Sequence, residues 1–140
     1  MKCLGVIAVA LLVVVLSPTA ALPHHSNVAY EVTKVITITG VVKNFEWVNP
    51  HTWLHISVKN PNGTMENWAI EAGTPNVLFR RGFTKESLLP GTEIVVDGYR
   101  AKDGSRRANG RDLTFADGKK LFLGSSGIGA PYELKSGAQK

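Results

Sequence analysis

Apolar and polar residues alternate with a period of two along much of this chain, and helical spacing is confined to one short stretch. Val35-Ile36-Thr37-Ile38-Thr39-Gly40-Val41-Val42 is dense in β-branched residues and predicts a strand that runs on through Phe45 to Trp47, with Gly40 marking a bend or bulge. Asn49-Pro50 closes it as a turn. From Thr52 to Lys59, Leu54, Ile56 and Val58 alternate with Trp53, His55 and Ser57, and Met65 to Ala72 forms a second extended run. The Asn62-Gly63 pair between them is a strong hairpin signal. A two-residue turn there sets Lys59 opposite Glu66, Ser57 opposite Trp68 and His55 opposite Ile70, with His51 level with Thr74.

Thr74-Pro75-Asn76 reads as a helix start, with Thr74 as N-cap and proline in the first turn, and Gly82 as the stop. Leu88-Leu89-Pro90-Gly91 is a turn before the strand Glu93 to Tyr99. A polar turn around Asp103-Gly104 leads to a strand from Asn109 to Phe115, and Asp117-Gly118 turns the chain into Lys120-Leu121-Phe122-Leu123. A long bent strand, a hairpin, a short helix and two more strands is the order of an all-β, OB-fold-like five-stranded barrel with its helix between strands 3 and 4. Another small β-sandwich or open barrel is the rival arrangement.

The ends add an address. Met1-Lys2 precedes an apolar run from Leu4 to Leu16, roughly 13 residues against the ~20 needed to span a bilayer. Small residues follow, which predicts a secretory signal over 1–21, cleaved after Ala21, and a periplasmic or secreted protein. A flexible arm over 22–33, the OB-like domain over 34–124 and a glycine- and serine-rich disordered tail over 125–140 complete the expected organisation. The single cysteine, Cys3, leaves with the signal, so the mature domain relies on its core rather than on disulfides.

The formal net charge is +5, and ten of the lysines and arginines fall between Arg80 and Lys120. Such a skew suits a nucleic-acid binder, but export makes nucleic acid an improbable partner and anionic envelope components a better one. For catalysis the residues offer little: no Gly-x-Ser-x-Gly elbow, no phosphate-binding glycine loop and no cysteine after the signal. Glu71 near His51 could form an acid–base pair, but no nucleophile or substrate pocket accompanies it. A non-catalytic protein is expected.

The four histidines fall in two clusters, His24-His25 and His51 with His55. On a strand, His51 and His55 lie about 13 Å apart at ~3.3 Å per residue, too far to share one ion at the ~2 Å bond length metals require. His55 therefore reads as a half-buried strand residue. His51, at a turn beside the start of the helix, could instead meet a mobile His24-His25 arm and form a nitrogen-rich metal site suited to copper or zinc. The competing reading of His51 is a hydrogen-bonded turn residue, and of His24-His25 an unstructured pair left by processing. A second candidate is a ligand-binding face of Asn49, Trp53, Trp68, Glu71, Arg81, Tyr99 and Arg111, which in an OB-like fold could hold an envelope polymer, a peptide or a partner protein. Its aromatic residues could equally belong to the core.

Together, His24-His25-Ser26, Thr39-Gly40-Val41-Val42, Trp47-Val48-Asn49-Pro50-His51-Thr52-Trp53, Asn67-Trp68, Gly73-Thr74-Pro75-Asn76, Arg80-Arg81-Gly82, Pro90-Gly91 and Gly98-Tyr99-Arg100-Ala101-Lys102-Asp103-Gly104 resemble the motifs of small exported bacterial proteins grouped as a domain of unknown function. The resemblance runs from His24 to about Ser125. It implies a small exported β-barrel in which His24, His25 and His51 are motif positions and His55 is not. Relatives of this kind often begin with the histidine pair directly after an alanine cleavage site. Here Leu22-Pro23 intervene, so a chelate between the terminal amine and the first histidine is not carried over without trimming.

Overall fold

A computed structural model describes residues 29–124. Six strands form one sheet: β1 (Tyr30–Glu46), β2 (Trp53–Lys59), β3 (Met65–Glu71), β4 (Glu93–Ala101), β5 (Arg107–Phe115) and β6 (Lys120–Phe122). The helix α1 (Pro75–Arg80) lies between β3 and β4. The sheet order is β3-β2-β1-β4-β5-β6, and a further parallel pairing of β3 with β5 closes the first five strands into a ring. This is the OB-like arrangement that the element order predicts, with the short helix in its expected place and a sixth strand, β6, added at the edge of β5.

β1 makes the ring possible because one strand serves two neighbours. Its first part, up to Val41, pairs with β4, and its second part, from Val41 to Glu46, pairs with β2. Gly40 sits at the changeover, where an added Cβ would lie 2.7 Å from the Ser57 carbonyl oxygen, so its lack of a side chain lets β2 approach. The irregularity in pairing falls between Val42 and Asn44 rather than at Gly40 itself. The strand also begins earlier than expected: Tyr30 to Thr33, assigned to the flexible arm by composition, belong to β1. Residues 1–28 and 125–140, with the signal, most of the arm, His24, His25 and the tail, lie outside the described residues.

The hairpin register differs by one residue from the two-residue-turn expectation. Asn60 N–H donates to Thr64 O at 2.8 Å and Gly63 N–H donates to Asn60 O at 2.9 Å, so the loop is Pro61-Asn62-Gly63, with Gly63 at φ 85°. The physical reason is Pro61. Its fixed φ suits the second position of a type I turn opened by Asn60, and Gly63 supplies the left-handed residue that returns the chain to the strand. Leu54 then faces Ile70, His55 faces Ala69 and Trp53 faces Glu71. Because side chains alternate with period two, this register keeps Leu54, Ile56 and Ile70 on one buried face, where the one-residue slip would have put His55 against Ile70. Lys59 no longer opposes Glu66, which instead takes Arg106 at 2.6 Å. The hydrogen bond from Arg106, with a smaller one from Asn60, holds the Glu66 carboxyl down at about 2.

The interior is filled from all five ring strands by residues including Ile38, Val42, Leu54, Ile56, Ile70, Val96, Ala108 and Leu113. α1 and the loop after it add Leu78, Phe83 and Leu88, all but fully buried. Thr74 caps the helix by accepting from Val77 N–H at 3.3 Å, and Gly82 follows it at φ 90°. A second, smaller cluster of Tyr30, Tyr99 and Ala101, joined by Val32, forms apart from the main core. It explains why the start of β1 is ordered: burial of the Tyr30 ring, only 2% exposed, offsets the entropy of fixing that segment.

Gly98 tests the β4–β5 seam. The carbonyl of Asn109 occupies the space that a Cβ on Gly98 would need, beside the register shift between Asp97 and Gly98. Backbone cannot yield as a flexible side chain can, so Gly98→Ala is expected to lower stability by about 2 kcal/mol, measured by urea denaturation. An unchanged midpoint would show that the seam is loose.

Candidate functional site

The ring closure assembles a polar cluster from three sequence regions. Register neighbours share a face of the sheet, so the pairings Trp53 with Glu71, Glu71 with Asn109, and Asn109 with Tyr99 draw a continuous row across β2, β3, β5 and β4. The interior residues Leu54, Ile70 and Ala108 precede or follow members of this row by one position, which places the row on the outer face. Tyr30 arrives from the start of β1 and covers it: its hydroxyl donates to Glu71 Oε2 at 2.6 Å.

His51 completes the cluster from the other side. The segment entering β2 is tied to the chain just after β3 by Thr52, whose N–H and hydroxyl both donate to Gly73 O, at 3.1 and 2.9 Å, and whose carbonyl accepts from Ala72 N–H at 2.9 Å. The peptide bond between Asn49 and Pro50, just upstream, is cis. In this position His51 Nδ1 lies 3.1 Å from Ala72 O and 3.5 Å from Glu71 Oε1. Both partners are acceptors, so in the neutral ring Nδ1 carries the proton and donates, and Nε2 keeps the free lone pair. The His51 side chain is 26% exposed against 8% for Glu71. A single carboxyl group thus holds a buried phenol with one oxygen and stands beside an accessible imidazole with the other.

Electrostatics keep this arrangement in one protonation state on the Tyr30 side. Burial, then the hydrogen bond and charge of Glu71, pushes the Tyr30 phenol well above its ordinary range, with Arg107 opposing more weakly. Tyr30 therefore remains a donor at any ordinary pH. The Arg107 guanidinium also sits 5.1 Å from the centre of the Trp53 ring, so it links the phenol to the aromatic row.

The other residues singled out from the sequence separate. Trp53, Glu71 and Tyr99 lie together in the row. Trp68 is on the opposite face, paired with Ile56, packed against the core and covered by Arg100 at 5.5 Å. Arg111 sits at the β4–β5 irregularity, bound to Asp112 at 2.6 Å and to Tyr99. Arg81 follows α1, donates to Gly124 O and stacks over Phe122 at 4.4 Å. Asn49 is exposed in the cis turn. His55 is half-buried on β2, with its Nε2 3.0 Å from Glu46 Oε1.

Among the described residues no group of three His, Cys, Asp or Glu side chains comes together as a metal cluster, and no helix is long and apolar enough to cross a membrane. Comparison with known proteins decides the family. A family model described as a family of unknown function (DUF6152) matches residues 11–110. The chain belongs to that family. No curated protein matches it. The DUF6152 match spans His24, His25 and His51 together with every strand up to the first part of β5.

Two members of the site in this DUF6152 chain escape a reading by composition. Tyr30 lies in a segment that looks like a polar arm, although Val28, Tyr30 and Val32 do alternate with period two. Arg107 looks like one of a basic pair, and only the parallel β3–β5 register, which sets it opposite Ala69, brings it to Trp53. Tyr30→Phe removes the phenol donor and leaves a buried carboxyl oxygen without it. We expect a loss of about 1.5–3 kcal/mol in chemical denaturation. A loss near zero would mean that Glu71 is held by other groups.

Proposed function

We propose that this is an exported, non-catalytic binding protein that holds a transition-metal ion, copper before zinc, through Nε2 of His51 and one or both of His24 and His25. The observation that carries the reading is the engagement of His51 Nδ1 by the Ala72 carbonyl and the Glu71 carboxyl, at 3.1 and 3.5 Å. A ligating histidine characteristically gives its other ring nitrogen to a carbonyl or carboxylate, which fixes the tautomer and raises the basicity of the free nitrogen. Tyr30 supports that carboxyl in turn. A lone imidazole binds an ion weakly, so the reading requires the second cluster, and imidazoles on a leading segment can supply it. Export, to the periplasm or beyond, is the reading of the Met1-Lys2 start, the apolar run to Leu16 and the small residues up to Ala21.

The outer row supports a second reading. Trp53 beneath Arg107, with Asn109 in the same row, is a half-buried aromatic and polar patch of the kind OB-like folds use for oligomeric ligands, and an envelope polymer, peptide or partner protein would engage it by stacking and hydrogen bonds. On this reading, His51 serves only to hold the turn.

Calorimetric titration of the mature protein with copper and with zinc distinguishes the two. On the metal reading, wild type binds one equivalent in the micromolar range or tighter, and His51→Ala or His24→Ala/His25→Ala abolishes it. Glu71→Gln weakens binding by about tenfold through the loss of its support to His51. Millimolar affinity, or affinity unchanged by these substitutions, would contradict the metal reading.

A further inference from the structure

We infer that the groove between the start of β1 and the end of β4 is a binding site for a phosphate group. The groove comes from a mismatch in strand length. Tyr30 pairs with Ala101 and Val35 with Tyr99, so four residues of β1, Glu31 to Lys34, span the same stretch as the single residue Arg100 on β4. The excess chain moves away from its partner and opens a space of about 560 Å³ lined by Glu31, Lys34, Ile36, Arg100, Ala101 and Lys102.

The lining has three cations and one anion. Among the described residues none of Lys34, Arg100 and Lys102 forms a salt bridge, and the Glu31 carboxyl is turned along its own strand, accepting from the Thr33 hydroxyl at 2.5 Å and from Thr33 N–H at 3.4 Å, while Lys102 favours its ionised form only weakly. Arg100 is fixed in place: one N–H donates to Gly104 O at 3.1 Å, and the guanidinium lies over Trp68. Its other donors remain for a ligand. A balance of +2 matches a phosphomonoester, which carries about −1.5 to −2 at neutral pH, whereas a carboxylate would leave one cation uncompensated. Ile36 and Ala101 give the groove an apolar wall, suited to the carbon body that bears the phosphate. The source could be a soluble phosphomonoester or a lipid headgroup, which share this chemistry. None of these residues belongs to the proposed metal site, so the inference stands apart from that reading.

The test is amide chemical-shift titration of the mature protein with inorganic phosphate, and with acetate at matched ionic strength. Saturable shifts centred on residues 34 and 100–102 are expected with phosphate, and only small linear drifts with acetate. Lys34→Ala/Lys102→Ala, two changes at exposed positions, should weaken phosphate binding about tenfold or more, and Glu31→Gln should tighten it. Co-sedimentation with phosphatidylcholine vesicles containing phosphatidic acid, with phosphate as competitor, separates the sources. Competable vesicle binding assigns the phosphate to a lipid, and saturable phosphate binding without it assigns a soluble ligand. Non-saturating phosphate shifts, an equal response to acetate, or indifference to the double substitution would overturn the inference.

Discussion

A carboxyl group withdrawn from water needs donors, and Glu71, only 6% exposed, is buried at the point where three parts of the chain converge. Its two oxygens divide the task. Oε2 accepts from Tyr30, whose ring seals the outer cluster with Tyr99 and Ala101, and Oε1 stands beside His51 at the turn that enters β2. Removing Tyr30 would leave a desolvated acceptor, so the start of β1 and the surroundings of His51 are tied to one side chain.

Glu71 can do this because the ring closes. The parallel β3–β5 pairing spans Ala69 with Arg107, Ile70 with Ala108 and Glu71 with Asn109, a short contact that nonetheless converts an open sheet into a five-strand ring. Inside it, Ile70 and Ala108 join the core. Outside it, Glu71 and Asn109 become neighbours of Trp53 and Tyr99. The alternation that fills the interior is thus the same alternation that builds the site, and the bulged, glycine-bearing β4–β5 seam lets the strands curve enough to meet.

Most of the fold was legible because β-branched alternation, an Asn-Gly turn, a Thr-Pro helix start and glycine stops are local signals, each with a local cause. The hairpin register was not, since Pro61 favours a three-residue loop over the two-residue turn, and the difference becomes decisive only when the buried faces of β2 and β3 must match. The candidate site was legible in part. The nearness of Glu71 to His51 was legible, although a two-residue turn set His51 level with Thr74, and the separation of His55 from His51 follows from strand spacing. Tyr30, Arg107 and the inward turn of Trp68 depend on contacts between segments far apart in sequence, which alternation within one segment does not encode. Arg107 opposite Ala69 needs the closure itself, and Tyr30 on Glu71 needs an extension of β1 that composition disguises as an arm.

His51 is held by Nδ1 against the Ala72 carbonyl and beside Glu71, which leaves Nε2 free. Nitrogen-15 correlation spectroscopy of the histidine side chains above their titration reports the tautomer directly. The account predicts that His51 is protonated at Nδ1 with an unprotonated Nε2, and that this preference weakens in Glu71→Gln. A His51 ring protonated at Nε2 would contradict it, because the nitrogen proposed to reach a metal would then already carry a proton.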